Sequence, residues 1–215
     1  MKKMMSKIAM GLGLSIALIA CTKEEETIVV PVSAITVKDL AADTVTGLGL
    51  DGRPQSAGTT TYYSLVDNKI IPSSDAASTK WDIAFSSTKI TVNCGTSGPG
   101  IGGAFVFKGL FDDLKTLPVD STFATDNSNA ASFAIPLGSG RAWYTYDGLT
   151  TLVTPIAGRV LVIRTATGKF AKIEIVSYYK GGITLPASAS VSDKLFKQRY
   201  YTFIYAYQPN GSKTV

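Results

Sequence analysis

An alternation of apolar and polar residues with a period of two is the feature that most restricts the fold of this chain. In the segment 170–179, FAKIEIVSYY, Ala171 and Ile173 fall on one side of an extended strand, whereas Lys172 falls on the other. The segment 159–165, RVLVIRT, comes before it, and the intervening ATGK contains the glycine of a turn. The two segments predict an antiparallel β-hairpin with one buried face and one solvated face.

Similar segments, rich in β-branched and aromatic residues, recur along the chain. Near the C-terminus, every second residue of the segment 201–207 is aromatic. Helical periodicity is scarce: we expect one turn at 111–117 and a second short helix capped by Ser192. The pattern predicts an all-β fold, in which antiparallel sheets pack as a sandwich-like single domain with projecting loops and few short helices. Further strands are predicted within 60–72, 81–85, 89–93, 103–108, 132–136 and 142–146.

The first twenty residues are typical of an export signal. Three lysines precede the apolar run 8–20, which is too short to span a bilayer. The run ends in Leu-Ile-Ala directly before Cys21, as in a bacterial lipobox, so we predict that the Cys21 thiol is acylated and anchors the chain to a membrane. The alternative is an ordinary signal peptide in which the cysteine occurs by chance.

Cys21 is followed by TKEEE, which resembles the tag that directs lipoproteins to the outer face of the outer membrane. A charged, solvated tether is the simpler explanation, and the two are compatible. The predicted organisation is a lipoprotein signal peptide at 1–20, a lipidated N-terminus and linker at 21–34, and an all-β domain at 35–215. We expect an outer-membrane lipoprotein exposed at the cell surface.

The net charge does not indicate a nucleic-acid partner. The signal peptide contains three of the 21 basic residues and none of the 16 acidic ones, so residues 21–215 have a formal charge of +2. The charge is uneven, with −5 over 21–140 and +7 over 141–215. The basic half could contact an anionic ligand, although chance unevenness is the more common explanation.

The missing residue types exclude several kinds of chemistry. Histidine is absent, which removes the usual serine and cysteine catalytic dyads and triads and most zinc and non-haem iron sites. Cys94 has no identifiable basic partner, and Asp112 and Asp113 are more typical of a solvated turn than of an acid pair. The glycine-rich segment 95–103 lacks the lysine of a phosphate loop and is expected to be a mobile connection. We therefore predict a binding protein with no catalytic residues and no metal site.

Several segments together resemble the HmuY family: WDIAF with TKITVN, GGAFVFKGLFDDLKT, GSGRAWYTYD, TPIAGRVLVIRTATGKFAKIEIVSYYKG and RYYTFIYAYQPNGS. The resemblance extends from about residue 35 to the C-terminus. It implies an outer-membrane or secreted haem-binding lipoprotein, similar to haemophores, that passes haem to an outer-membrane receptor. It also implies antiparallel sheets with a ligand cleft between projecting loops.

This chain departs from the family in its iron ligands. Members hold haem iron with histidines or methionines, but all four methionines here lie in the predicted signal peptide. Three possibilities for the bound molecule stay open: haem whose iron is held by tyrosine, a tetrapyrrole whose metal is absent or unligated, or a different molecule. The candidates are Tyr144 and Tyr146 for iron and Arg141 for a propionate, because the strand at 142–146 leads into a loop and a guanidinium is a fork donor. Simple packing of both tyrosines in the sheet is the alternative. At the level of function, the alternative is a HmuY-like surface module that binds a non-haem ligand or a protein partner.

Overall fold

The computed structural model describes residues 32–128 and 132–215, and antiparallel strands dominate them. The predicted signal peptide, Cys21 and most of the predicted linker lie outside the described residues, so the lipid anchor stays a prediction. No helix in the described ranges is long and apolar enough to cross a membrane. The elements are β1 (Ala34–Ala41), β2 (Val45–Leu48), β3 (Pro54–Ser56), β4 (Thr61–Ser64), β5 (Lys69–Ile71), a 3₁₀-helix (Ser73–Asp75), β6 (Ile83–Ser86), β7 (Lys89–Val92), β8 (Gly103–Lys108), β9 (Tyr144–Asp147), β10 (Leu152–Pro155), β11 (Arg159–Arg164), β12 (Phe170–Tyr179), α1 (Val191–Phe196) and β13 (Gln198–Gln208).

The largest sheet has five strands in the order β1-β13-β12-β11-β8, and all of its pairs are antiparallel. The predicted hairpin is confirmed as β11 and β12, which pair from Val160 opposite Glu174 to Arg164 opposite Phe170. Gly168 in the turn has a φ of 85°, a left-handed conformation that glycine adopts without steric cost. This sheet contains the two longest strands of the described residues, β12 and β13.

A second sheet of four strands, in the order β5-β4-β6-β7, packs on the first. Its inward residues meet the five-stranded sheet through aromatic rings: Phe85 stacks on Phe203 at 5.6 Å between centroids and lies 4.8 Å from Tyr201. Tyr63 meets Phe203 edge to face at 5.7 Å. Such contacts add to the burial of large apolar rings. The predicted all-β, sandwich-like arrangement is confirmed.

The outer face of β12 is less solvated than the alternation predicts. Lys172 is only 3% exposed, because the segment that contains Phe111 and Leu114 crosses this face and packs on Val160 and Val162. The Lys172 Nζ donates to the carbonyls of Phe111 at 2.9 Å and Leu114 at 2.6 Å. Burial lowers the pKa of Lys172, since desolvation disfavours the ammonium form.

Two local predictions are wrong. The segment 132–136 is irregular rather than a strand, because the backbone N–H of Ala134 donates to the Asp126 carboxylate at 2.8 Å instead of to a neighbouring strand. The cap of α1 is Ser190 rather than Ser192, and the Ser190 hydroxyl accepts from the backbone N–H of Asp193 at 3.0 Å. The spacing of Ser190 and Asp193 is a usual signal for a helix start.

The glycine-rich segment 95–103 is tightly packed, contrary to the expected mobile connection. A Cβ at Gly98 would lie 2.6 Å from the Trp81 ring, and one at Gly100 would lie 2.6 Å from the Asn93 carbonyl. The Asn93 side chain accepts from the Gly100 N–H at 2.8 Å and is fully buried. The glycines are therefore required by close backbone approach rather than by flexibility.

Candidate functional site

Three short elements project beyond the two large sheets and enclose a cleft of about 550 Å³, within the usual range for small-molecule sites. They are the hairpin β2–β3, the hairpin β9–β10 and the helix α1, and we name the space between them the hairpin cleft. Its lining combines apolar side chains with a single charged one. The lining residues are Leu48, Gly52, Pro54, Tyr146, Leu149, Thr150, Thr151, Val191, Lys194, Leu195 and Gln198.

Large apolar side chains reach solvent at this cleft. Leu149 at the tip of β9–β10 is 97% exposed, Val191 is 78% exposed and Leu48 is 53% exposed. Single exposed apolar residues are common, but a concentration of them around one concave surface is typical of a binding site. The cleft therefore suits a ligand with a large apolar surface.

Asp147 gives the tip of β9–β10 a defined shape. Its carboxylate accepts from the Leu149 N–H at 2.9 Å and from the Thr150 hydroxyl at 2.7 Å. The Thr150 hydrogen bond, followed by the Leu149 bond, lowers the pKa of Asp147 because both stabilise the carboxylate. On the inner side, the buried Tyr179 hydroxyl accepts from the Val153 N–H at 3.0 Å and joins the hairpin to β12.

Asp43 fixes the opposite wall of the hairpin cleft. Its carboxylate accepts from the Ser56 hydroxyl at 2.8 Å and from the Thr59 N–H at 3.0 Å. The Arg199 guanidinium lies 3.5 Å from the same carboxylate and donates to the Asp43 carbonyl at 2.8 Å. Both side chains are largely buried, so this pair attaches β2–β3 firmly to the start of β13.

Helix α1 provides the cationic group. The half-buried Lys194 lines the cleft, and its Nζ donates to the Ala187 carbonyl at 2.8 Å. Its charge also contributes to the lowered pKa of Asp147 across the cleft. Lys197, one turn further on, does not line the cleft and pairs with Asp193 at 2.9 Å. Lys194 is therefore the group positioned to contact a carboxylate of a ligand.

The predicted tyrosines have different surroundings. Tyr146 lines the hairpin cleft and is 51% exposed, whereas Tyr144 is 9% exposed and packs its ring on Trp143 at 4.7 Å. Arg141 is exposed in the turn before β9 and is not among the lining residues. Of the three candidates, the structure brings only Tyr146 to the cleft, and the ligand role of each stays a prediction.

The cleft fits a flat, apolar molecule with anionic substituents better than it fits an iron centre. Of the four side chains that commonly hold haem iron, namely those of His, Cys, Met and Tyr, the described lining contains one, the phenol of Tyr146. Within 32–128 and 132–215, no three His, Cys, Asp or Glu side chains lie close enough to hold a metal ion. The described lining can therefore offer a ligand mainly apolar contacts and the Lys194 ammonium.

The sequence did not indicate most of this site. The walls come from residues 48–54, 146–151 and 191–198, which no local pattern links. One signal was available: Leu149 is an apolar residue in a turn that begins with Asp147-Gly148, where polar residues are usual. Lys194 follows the helix start at Ser190, so the position of α1 could have identified it as a surface group.

Residues 56–186, more than half of the chain, match the family described as HmuY protein. No curated protein matches the sequence. Three solved structures are similar in fold: a candidate lipoprotein of Bacteroides fragilis (16% identity, 80% of this chain and 88% of that one, TM-score 0.48), an apo HmuY analog of Tannerella forsythia (15%, 83% and 96%, 0.42) and an HmuY-like heme-binding candidate of Bacteroides vulgatus (13%, 81% and 90%, 0.44). The match over residues 56–186 covers more than half of the sequence, so the chain belongs to the HmuY family.

Proposed function

We propose that this protein binds haem or a related tetrapyrrole in the hairpin cleft, as a lipoprotein on the cell surface that supplies the molecule for uptake. The cleft is the observation that carries the proposal: Leu48, Leu149 and Val191 offer apolar surface, and Lys194 is the one charged group among the described lining residues. A tetrapyrrole has a broad apolar plane and two carboxylates, which match these features. Binding rather than catalysis is proposed, in agreement with the absence of histidine from the sequence.

The iron contributes less to this binding than the porphyrin does. A pair of nitrogen ligands is unavailable because the sequence contains no histidine, and the described lining contains no thioether. A phenolate from Tyr146 is the one protein ligand that the lining can offer to ferric iron. We therefore expect iron-free protoporphyrin IX to bind with an affinity close to that of ferric haem.

Titration of the purified protein with each of these two molecules, followed by absorption, tests the proposal. We expect saturable spectral changes with both, and the haem complex should lack the spectrum of two nitrogen ligands. If neither molecule gives a saturable spectral change, the proposal is overturned. An affinity for haem more than a hundredfold above that for protoporphyrin IX would show that the iron carries the binding and would contradict the porphyrin-based mode.

The two tyrosines form a matched pair of variants for the iron ligand. Tyr146→Phe and Tyr144→Phe each remove one hydroxyl and keep the ring, so packing should survive in both. We expect a phenolate charge-transfer band in the haem complex of the wild type, its loss in Tyr146→Phe and its retention in Tyr144→Phe. Loss in the Tyr144 variant alone would assign the ligand to the buried tyrosine, and an unchanged band in both variants would end the tyrosine hypothesis.

A further inference from the structure

The outward face of the four-stranded sheet bears few charges, and it is only partly solvated because Ala84 and Thr91 on it are buried. Along β6 and β7 the residues alternate strictly, and the inward positions are buried in the core between the sheets. The outward positions, together with the loops beside them, bear mostly short neutral hydroxyl groups, whereas exposed faces usually contain many charges of both signs. The inward residues are Ile83, Phe85, Ile90 and Val92, and the outward ones are Ala84, Ser86, Lys89 and Thr91.

These outward residues line a groove of about 300 Å³, which we name the sheet groove. Among the described residues of its lining, hydroxyl and amide side chains are the majority, two are aromatic, and Lys89 is the one that is charged. The Nζ of Lys89 lies 5.9 Å from the centre of the Phe133 ring. The lining residues are Thr60, Tyr62, Ala84, Ser86, Lys89, Thr91, Thr96, Ser97, Asn127, Ser128 and Phe133.

Tyr62 is a rigid aromatic platform at one side of the sheet groove. Its ring meets Trp81 edge to face at 4.9 Å, and Trp81 is fully buried with its indole N–H donated to the Ala76 carbonyl at 2.9 Å. Tyr62 and Thr60 also line a second depression of about 550 Å³, which extends over Ile70 and Ile71 of β5. The two depressions therefore adjoin at one fixed ring, as a trough across the sheet.

We propose that the sheet groove binds a neutral oligosaccharide. A sugar ring has an apolar face of C–H groups, which can stack on Tyr62, and a rim of hydroxyls, which need donors and acceptors such as Ser86, Thr96 and Ser97. An apolar ligand would remove these hydroxyls from water without replacing their hydrogen bonds, which is unfavourable. A polyanion would meet a single cation, Lys89. The trough also extends past one ring, which suits a linear chain of sugars.

This site is independent of the hairpin cleft, because the two linings share no residue. The probes are maltoheptaose, cellohexaose and mannohexaose, each titrated calorimetrically into the purified protein. We expect saturable binding of at least one, weakened more than tenfold by Tyr62→Leu, which keeps an apolar contact with Trp81 while removing the aromatic platform. Ser86→Ala removes one partly exposed hydroxyl from the lining, so we expect a twofold to tenfold loss.

Controls separate the proposal from misfolding and from charge recognition. Thermal melts should show that both variants remain folded, and Tyr146→Phe, in the hairpin cleft, should leave oligosaccharide binding within twofold of the wild type. Absence of saturable binding by all three probes would overturn the proposal, as would full binding by Tyr62→Leu. Tighter binding of a heparin-derived hexasaccharide, lost in Lys89→Met, would also overturn it by showing an anion site.

Discussion

Tyrosines have opposite surroundings in two regions of the molecule. They are buried in the core between the two large sheets, whereas Tyr146 is exposed at the hairpin cleft. In the core, Tyr178 and Tyr201 are at most 1% exposed, and burial raises the pKa of both hydroxyls. At the cleft, Tyr146 is half exposed beside Leu149 and Lys194. Six of the ten tyrosines are less than 10% exposed, so this residue type mainly stabilises the fold. A tyrosine-rich composition therefore does not indicate a ligand site until the exposed members are identified.

The largest expected effect is alkaline unfolding driven by the core tyrosines. The folded-state pKa of Tyr178 and Tyr201 is raised, so their contribution to stability is complete below the unfolded pKa of about 10 and is lost as the pH rises towards the folded value. Within this window each of them lowers the free energy of unfolding by about 1.4 kcal/mol per pH unit. Tyrosinate absorbance and far-ultraviolet circular dichroism should change together. Ionisation of most tyrosines before any loss of structure would contradict the conclusion that tyrosine mainly stabilises the fold.

Truncation of one core ring should affect stability and not ligand binding. Phe203 is fully buried between Phe85 and Tyr63, and Phe203→Ala is expected to lower the free energy of unfolding by about 3–5 kcal/mol. Urea denaturation measures this change. Porphyrin affinity at a temperature where the variant is folded should stay within about twofold of the wild type. A loss of stability below about 1 kcal/mol would mean that the core repacks around the cavity.

A charge at the tip of β9–β10 should weaken ligand binding and leave stability almost unchanged. Leu149 is almost fully exposed, so Leu149→Asp should change the free energy of unfolding by less than about 0.5 kcal/mol. Porphyrin affinity should fall by about tenfold or more, because a bound ligand would cover this side chain. The matched control is Val66→Asp, which alters another exposed apolar residue that does not line the cleft. Equal affinity in both variants would remove Leu149 from the site.

The smallest expected effect separates the two lysines of α1. Lys194→Met should weaken protoporphyrin IX binding by about twofold to fivefold, the range of a partly exposed ion pair. Lys197→Met, which removes a lysine paired with Asp193 outside the cleft, should have no effect on affinity. The difference should shrink in 1 M salt, because salt screens exposed charges. Equal losses in both variants would indicate a general charge effect rather than a contact with a carboxylate.

The sequence predicted the frame of the fold better than its site, for physical reasons. The alternation in β12 and β13 is a local property, so the long strands could be identified from neighbouring residues alone. The burial of Lys172 depends on Phe111, about sixty residues earlier in the chain, and the irregular segment 132–136 depends on the Asp126 carboxylate. Contacts of this kind have no periodic signal. For the same reason the walls of the hairpin cleft from β2–β3 and α1 were missed, although Tyr146 on its third wall was among the predicted residues.

Strand β1 places the start of the described domain and the hairpin cleft at opposite ends of one strand. Its first residue, Ala34, pairs with Ala206, and its last, Ala41, pairs with Tyr200, two residues from the cleft residue Gln198. The strand thus separates the start of the domain from the cleft by about 25 Å. If Cys21 bears the predicted lipid, the thirteen residues up to Ala34 reach at most about 45 Å. The anchor would then be attached at the end of β1 that lies away from the hairpin cleft, so the attachment point itself would not obstruct the cleft.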